Sequence, residues 1–144
     1  MRIDGAWLVC DDGIVRPVIR GEMVTKNGSW IQVPFLADTA ADRTVLSGAT
    51  LQALGLQPAG SAGHLEGVGG KAAAVVVETQ IHMKRDTGEE VLFKGHFSAF
   101  TDVTTLDMSV LGRDITNLFA VIVDRLQDLV CLLGHGQRYI IVPG

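Results

Sequence analysis

The chain has 144 residues, 47% of them hydrophobic and 19% charged, enough apolar content for one domain with a buried core. A formal net charge of −4 excludes an electrostatic grip on nucleic acid, and no stretch approaches the roughly 18 apolar residues of a membrane helix. Two cysteines, Cys10 and Cys131, are too few for a disulfide-stapled secreted domain, so both are read as free thiols in a reducing compartment.

The opening MRIDGAWLVCDDG has an aspartate at position 4 and no apolar core of the kind a signal peptide needs. The expectation is a soluble cytoplasmic protein, and a piece of a longer polyprotein would read the same. Residues 1–16 form an arm or short hairpin turning at Asp11-Asp12-Gly13. Val18 to Thr25 alternates as a strand, and Asn27-Gly28 is a hairpin signal. Trp30 to Ala37 is the return strand, in which Pro34 argues for an edge or a bulge. Ser47 to Leu56 reads as a short helix with Ser47 as N-cap and Gly55 as the glycine that ends it.

Residues 58–63 read as a flexible link. Lys71 to Met83 is a long β run, Asp86-Thr87-Gly88 a turn and Val91 to Phe100 the returning strand. Ser109-Val110-Leu111 is a short apolar run ending at Gly112, after which Asp114 caps a helical turn through Phe119. Phe119–Val123, Leu129–Leu133 and Tyr139–Val142 close the chain as strands. The fold class is all-β: a closed or partly closed barrel with one or two short helices, in a single domain spanning 1–144.

The pattern strand, hairpin, strand, apolar run, loop, helix occurs twice. The first copy ends Phe35-Leu36-Ala37-Asp38 and the second Ser109-Val110-Leu111-Gly112. Asp38 in the first copy admits two local readings. Thr39-Ala40-Ala41-Asp42 fits a capping box at the start of a helix running from Ala40 to Leu54. Against that, Thr44 and Val45 are β-branched and Gly48 would fall mid-helix, at a cost of about 1 kcal/mol. The alternative is a loop that presents Asp38 for chemistry, and local pattern leaves both open.

Phe35-Leu36-Ala37-Asp38-Thr39-Ala40-Ala41-Asp42 resembles the active-site loop of retropepsin-like aspartic proteases. Val110-Leu111-Gly112-Arg113-Asp114 is similar to the family's second signature, and Gly67-Val68-Gly69-Gly70 stands where the family places its glycine-rich flap. The resemblance covers about residues 17–133, with 1–16 an N-terminal arm and 134–144 a C-terminal strand, and the nearest kind of member is cellular or bacterial. It implies an acid-protease barrel and an aspartic endopeptidase working as a homodimer on an extended peptide or protein substrate, with no cofactor, no metal and no membrane or nucleic-acid partner.

Each subunit would donate Asp38 to a pair of carboxylates that activates water. Thr39 would hold the two loops in register, Ala41 line the cleft, and Asp42 meet substrate or pair with Arg113 in a partly buried brace. Gly112, Arg113 and Asp114 would support the loop, and Gly67 to Gly70 would close over substrate. Ala40 stands where the family carries glycine, which implies an alternative: a catalytically impaired dimerisation or peptide-binding module of the same fold. Other chemistry lacks its pattern. His64, His82, His96 and His135 show no metal-ligand spacing, Ser47 and Ser61 lack a nucleophile elbow, and Cys131 sits in an apolar run.

Overall fold

Gly28 adopts φ +82° and lets the chain reverse between β3 (Val15–Val24) and β4 (Trp30–Ala37), which pair antiparallel from Val18↔Leu36 to Val24↔Trp30. This hairpin is the centre of the structure, a computed structural model that describes residues 1–67, 70–136, 140, 142 and 143. Strand accounts for 54% of it and helix for 8%, so the protein is mostly β. Before the hairpin come β1 (Arg2–Asp4) and β2 (Ala6–Val9). After it follow β5 (Val45–Leu46), α1 (Gly48–Leu54), β6 (Gly60–Gly67), β7 (Gly70–Lys84) and β8 (Glu90–Phe100). The chain then forms β9 (Ser109–Leu111), α2 (Arg113–Thr116), β10 (Ala120–Asp124) and β11 (Leu129–Leu133).

Eight strands form one sheet in the order β2-β3-β4-β9-β5-β8-β7-β6, and a second sheet has the order β1-β11-β10. The larger sheet curls until β7 meets β3 at Glu22↔His82. That contact is a single residue pair, so of the closed or partly closed barrel the sequence suggests, the sheet forms at most the partly closed one.

Alternation along β4 turns Val33 and Phe35 inward, where they join Ile19, Met23, Leu46, Val77, Ile81 and Leu111 in the core. Gly21 on β3 makes room for this packing. A Cβ there would lie 2.7 Å from Ile81 Cγ2 and 2.9 Å from Phe35 Cε2. Helix α1 starts where Ser47 Oγ accepts the Thr50 N–H (3.1 Å) and stops at Gly55, whose φ of +64° is left-handed.

Several expectations change. No helix runs from Ala40, so Thr39 and Asp42 are not its capping box. Residues 58–63 are not a link, because Gly60 begins β6, which pairs along β7 from Gly60↔Val76 to Gly67↔Gly70. His64 and Glu66 are exposed on that strand. The N-terminal arm divides: β1 pairs with β11 and β2 with β3. Pro34 lies within β4 at a point where that strand has a partner on one side only, the local edge the proline suggests. It faces Arg20 of β3 and precedes Phe35–Ala37, the part of β4 that β9 covers, so its missing N–H interrupts no ladder. Gly112 rather than Asp114 caps α2, which ends at Thr116 rather than Phe119. Of the strand expected over Tyr139–Val142, Tyr139 and Ile141 lie outside the described residues, while Ile140 and Val142 are exposed and not in a strand. No helix of the described residues is long and apolar enough to cross a membrane.

The two thiols differ in setting. Cys10 is half-buried near the turn after β2, whereas Cys131 is buried in β11, and burial pushes its thiol up from the ordinary value. A raised thiol stays protonated at neutral pH and reacts slowly. An aromatic disulfide reagent at pH 8 is expected to label Cys10 in the native protein and Cys131 only after unfolding. Equal rates for both in native buffer would contradict this packing.

Candidate active site

The polypeptide reaches Asp38 at the end of β4, and β9 runs parallel beside it in the register Phe35↔Ser109, Leu36↔Val110, Ala37↔Leu111. The two copies of the sequence pattern thus lie side by side. The next residue of each is Asp38 in one and Gly112 in the other, and Asp38 N–H donates to Leu111 O (3.2 Å).

Beyond β4 the chain turns tightly over Asp38–Arg43. The Asp38 carboxylate accepts the Ala40 N–H (3.0 Å) and the Ala41 N–H (3.2 Å) on the same Oδ1. Short polar side chains that bond forward to the backbone favour such turns over helix, which is why the capping-box pattern fails here. Asp38 is half-buried, and Thr39 and Ala40 are exposed at the tip. Ala40 has no positive φ; among the described residues Asp128 is the one non-glycine that does. The methyl that departs from the glycine pattern therefore adds no left-handed strain.

The second signature grips this loop from below. Arg113 N–H donates to Ala41 O (2.8 Å), and Arg113 Nη1 donates to Thr39 O (3.2 Å). Arg113 also pairs with Asp42, as expected, but the pair is not partly buried: the Asp42 side chain is 83% exposed. Such an exposed pair contributes little by charge, and the guanidinium braces the loop chiefly through the Thr39 carbonyl.

Deeper down, Thr44 Oγ donates to Asp114 Oδ1 (2.7 Å) and accepts the Gly112 N–H (3.0 Å). The same Asp114 oxygen takes the N–H groups of Thr44 (2.9 Å) and Ile115 (3.0 Å). Thr44 is 1% exposed, so its hydroxyl is satisfied on both sides where an unpaired group would be costly. Ser109 Oγ accepts the Ser47 N–H (3.0 Å) and lies 2.9 Å from Thr50 Oγ1, tying β9 to the start of α1.

The structure thus brings together Asp38, Thr39, Ala41, Asp42, Gly112, Arg113 and Asp114. Gly67 and Gly70 pair with each other on the β6–β7 hairpin and, among the described residues, share no hydrogen bond with the loop. Val68 and Gly69 lie outside the described residues. Sequence reasoning missed Thr44 and Ser109, whose burial follows from the pairing of β5 and β9 and carries no local signal.

Comparisons with known proteins accord with this geometry. A family model described as aspartyl protease matches residues 23–115. Among solved structures, the chain is similar to a retropepsin-like aspartic protease from Rickettsia conorii, at 21% identity and a TM-score of 0.55, covering 92% of this chain and 98% of that one. It is also similar to the EIAV protease complexed with the inhibitor HBY-793, at 24% identity and a TM-score of 0.50, covering 71% and 86%. At these identities the likeness is one of fold. None of the curated proteins matches the chain.

Gly112 is the most constrained residue of the cluster. A Cβ there would fall 2.2 Å from Arg43 C and 2.4 Å from Arg43 O, both backbone atoms. Gly112→Ala is expected to destabilise the fold by at least about 1–3 kcal/mol, as overpacking does. Thr44→Val, which leaves the Gly112 N–H and Asp114 without their hydroxyl partner, should cost about 1–3 kcal/mol. Chemical denaturation measures both, and wild-type midpoints for the two variants would refute the clasp.

Proposed function

The chain belongs to the aspartyl protease family, and we propose that it is a homodimeric endopeptidase in which two Asp38 carboxylates, one from each subunit, hydrolyse a peptide bond. The carrying observation is the register of β4 against β9, which sets Asp38 beside Gly112. Each chain offers one carboxylate at the position where the reaction needs two, so a second copy must supply the other. A two-fold axis next to the exposed Thr39 and Ala40 brings identical residues face to face.

Two carboxylates about 3 Å apart cannot both ionise, so they hold one proton between them. That proton belongs to the pair. The ionised member takes a proton from water as the oxygen attacks the scissile carbonyl carbon, and the protonated member gives its proton to the carbonyl oxygen. A gem-diol results. Its collapse breaks the C–N bond while a proton passes to the leaving nitrogen, and the dyad returns to its starting state. Thr39 bonds across the axis and keeps the loops in register, and Ala41 lines the cleft beside substrate. The β6–β7 hairpin, on which Gly67 and Gly70 pair, closes over an extended peptide and excludes water. Cys10 and Cys131, both free thiols, suit a reducing compartment such as the cytoplasm.

The second reading is a dimerisation or peptide-binding module with impaired catalysis. Ala40 motivates it, through crowding of the carboxylate pair by two methyls. The ordinary backbone of Ala40 favours the active enzyme.

Asp38→Asn is expected to abolish peptide hydrolysis while leaving the fold intact. Ala40→Gly should change kcat/KM by less than about tenfold, whereas a gain above about a hundredfold would favour the impaired module. Undiminished cleavage by Asp38→Asn would overturn the mechanism.

A further inference from the structure

Away from the catalytic loop, the curled sheet meets itself at one residue pair, Glu22 of β3 against His82 of β7. A cavity of about 140 Å³ lies at that junction, lined by Asp4, Arg20, Glu22, Gln32, His82 and Lys84. Its residues come from β1, β3, β4 and β7. Gln32 stands six residues before Asp38 on an extended strand, about 20 Å along the chain. The cavity is therefore separate from the place where a peptide would be cut, and it is sized for a small ion rather than a peptide.

The charges around it are not all balanced. Arg2 takes up Asp4, with Nε 2.8 Å from Oδ1 and Nη2 donating to Oδ2 at 3.2 Å. Lys84 Nζ lies 3.5 Å from Glu22 Oε1. Arg20 forms no ion pair among the described residues. Both acids of the cavity thus have a cation, and one guanidinium is left over in a chain whose net charge is −4. A guanidinium fork suits an oxyanion, and the Gln32 amide offers a further donor from the neighbouring strand.

His82 adds a second requirement. Its side chain is only 11% exposed, and the Trp30 ring stands edge-on to it with centroids 4.5 Å apart. Its Nδ1 lies 3.3 Å from Glu90 Oε2. A carboxylate only accepts, so in the neutral ring the proton sits on Nδ1 and Nε2 is an acceptor. Nε2 is buried and has no hydrogen-bond partner among the described residues, a costly state for a polar atom. A ligand that satisfies the whole cavity must bring negative charge to Arg20 and a hydroxyl donor to Nε2. Hydrogen phosphate has both, whereas sulfate and acetate at neutral pH have the charge alone.

We propose that this cavity binds inorganic phosphate, its oxygens on Arg20 and Gln32 and its hydroxyl donating to His82 Nε2. Lys84 adds positive field from β7, and Glu22 opposes it. Because Arg20 belongs to β3 and His82 to β7, the bound ion ties together two strands that share a single residue pair. Phosphate therefore stabilises the folded chain by mass action. The site is independent of the peptidase reading.

The full chain is titrated with sodium phosphate at pH 7.5, with chloride holding the ionic strength constant, and followed by NMR of the histidine ring protons and by thermal unfolding. The His82 resonances are expected to shift saturably with a Kd below about 10 mM, and Tm to rise with phosphate concentration. Sulfate, acetate and methyl phosphate, which carry little or no hydroxyl proton at this pH, should bind at least about tenfold more weakly. Arg20 is exposed, so Arg20→Gln is expected to keep the wild-type Tm in chloride and to weaken phosphate at least about tenfold. Glu22→Gln should tighten it, by removing the opposing charge. Sulfate or methyl phosphate binding as tightly as phosphate overturns the proposal, as does unchanged affinity in Arg20→Gln. Shifts confined to the exposed His64 and His96 would mean an adventitious ion only, and would overturn it too.

Discussion

The parallel pairing of β4 with β9 is the constraint on which the site depends. It is short, three residues on each side, yet it fixes where both strands end. Asp38 and Gly112 must then emerge side by side, and their continuing chains must pass within van der Waals distance of one another. At Gly112 this leaves no volume for a side chain against the Arg43 backbone. The clasp of Thr44 and Asp114 closes the same junction with polar contacts, three of them on a single carboxylate oxygen. A loop held in this way presents Asp38 in one position instead of many, and pre-organisation of that kind is what a reacting carboxylate needs.

The same junction explains why the molecule is asymmetric in chemistry while repetitive in pattern. The duplicated halves deliver equivalent loops, but one carries an acid and the other a glycine that the packing requires. An aspartate at 112 would collide with Arg43, so this chain cannot gain a second carboxylate there by substitution. In the proposed homodimer a second subunit would supply the other carboxylate, and the exposed Thr39 and Ala40 are the residues that such an assembly would cover.

Much of this was legible in the sequence wherever the signal was local. Asn27-Gly28 turns the hairpin, Ser47 and Gly55 bound α1, and Asp38 and Gly112 follow the two apolar runs that lie side by side as β4 and β9. Features set by distant contacts were not. Residues 58–63 are poor in apolar residues and read as a link, yet from Gly60 onward the chain is a strand because β7 offers it a partner edge. Val45–Leu46 is too short to show a period, and its pairing with both β8 and β9 is what buries Thr44. The Arg113–Asp42 pair was correctly matched but placed too deep, since two adjacent motifs predict contact and not exposure. The degree of barrel closure stayed open for a related reason: alternation predicts strands, while the length of the last ladder depends on how far the sheet curls.

The central claim is that one active site is made from two chains. Wild-type and Asp38→Asn subunits, mixed, allowed to exchange and assayed for peptide hydrolysis across a range of ratios, test it directly. If each site needs an Asp38 from both partners, activity follows the square of the wild-type fraction, and an equal mixture retains about a quarter of the wild-type rate. A linear decline, with about half the rate retained at equal mixing, would mean that each chain carries a complete site and would contradict the account.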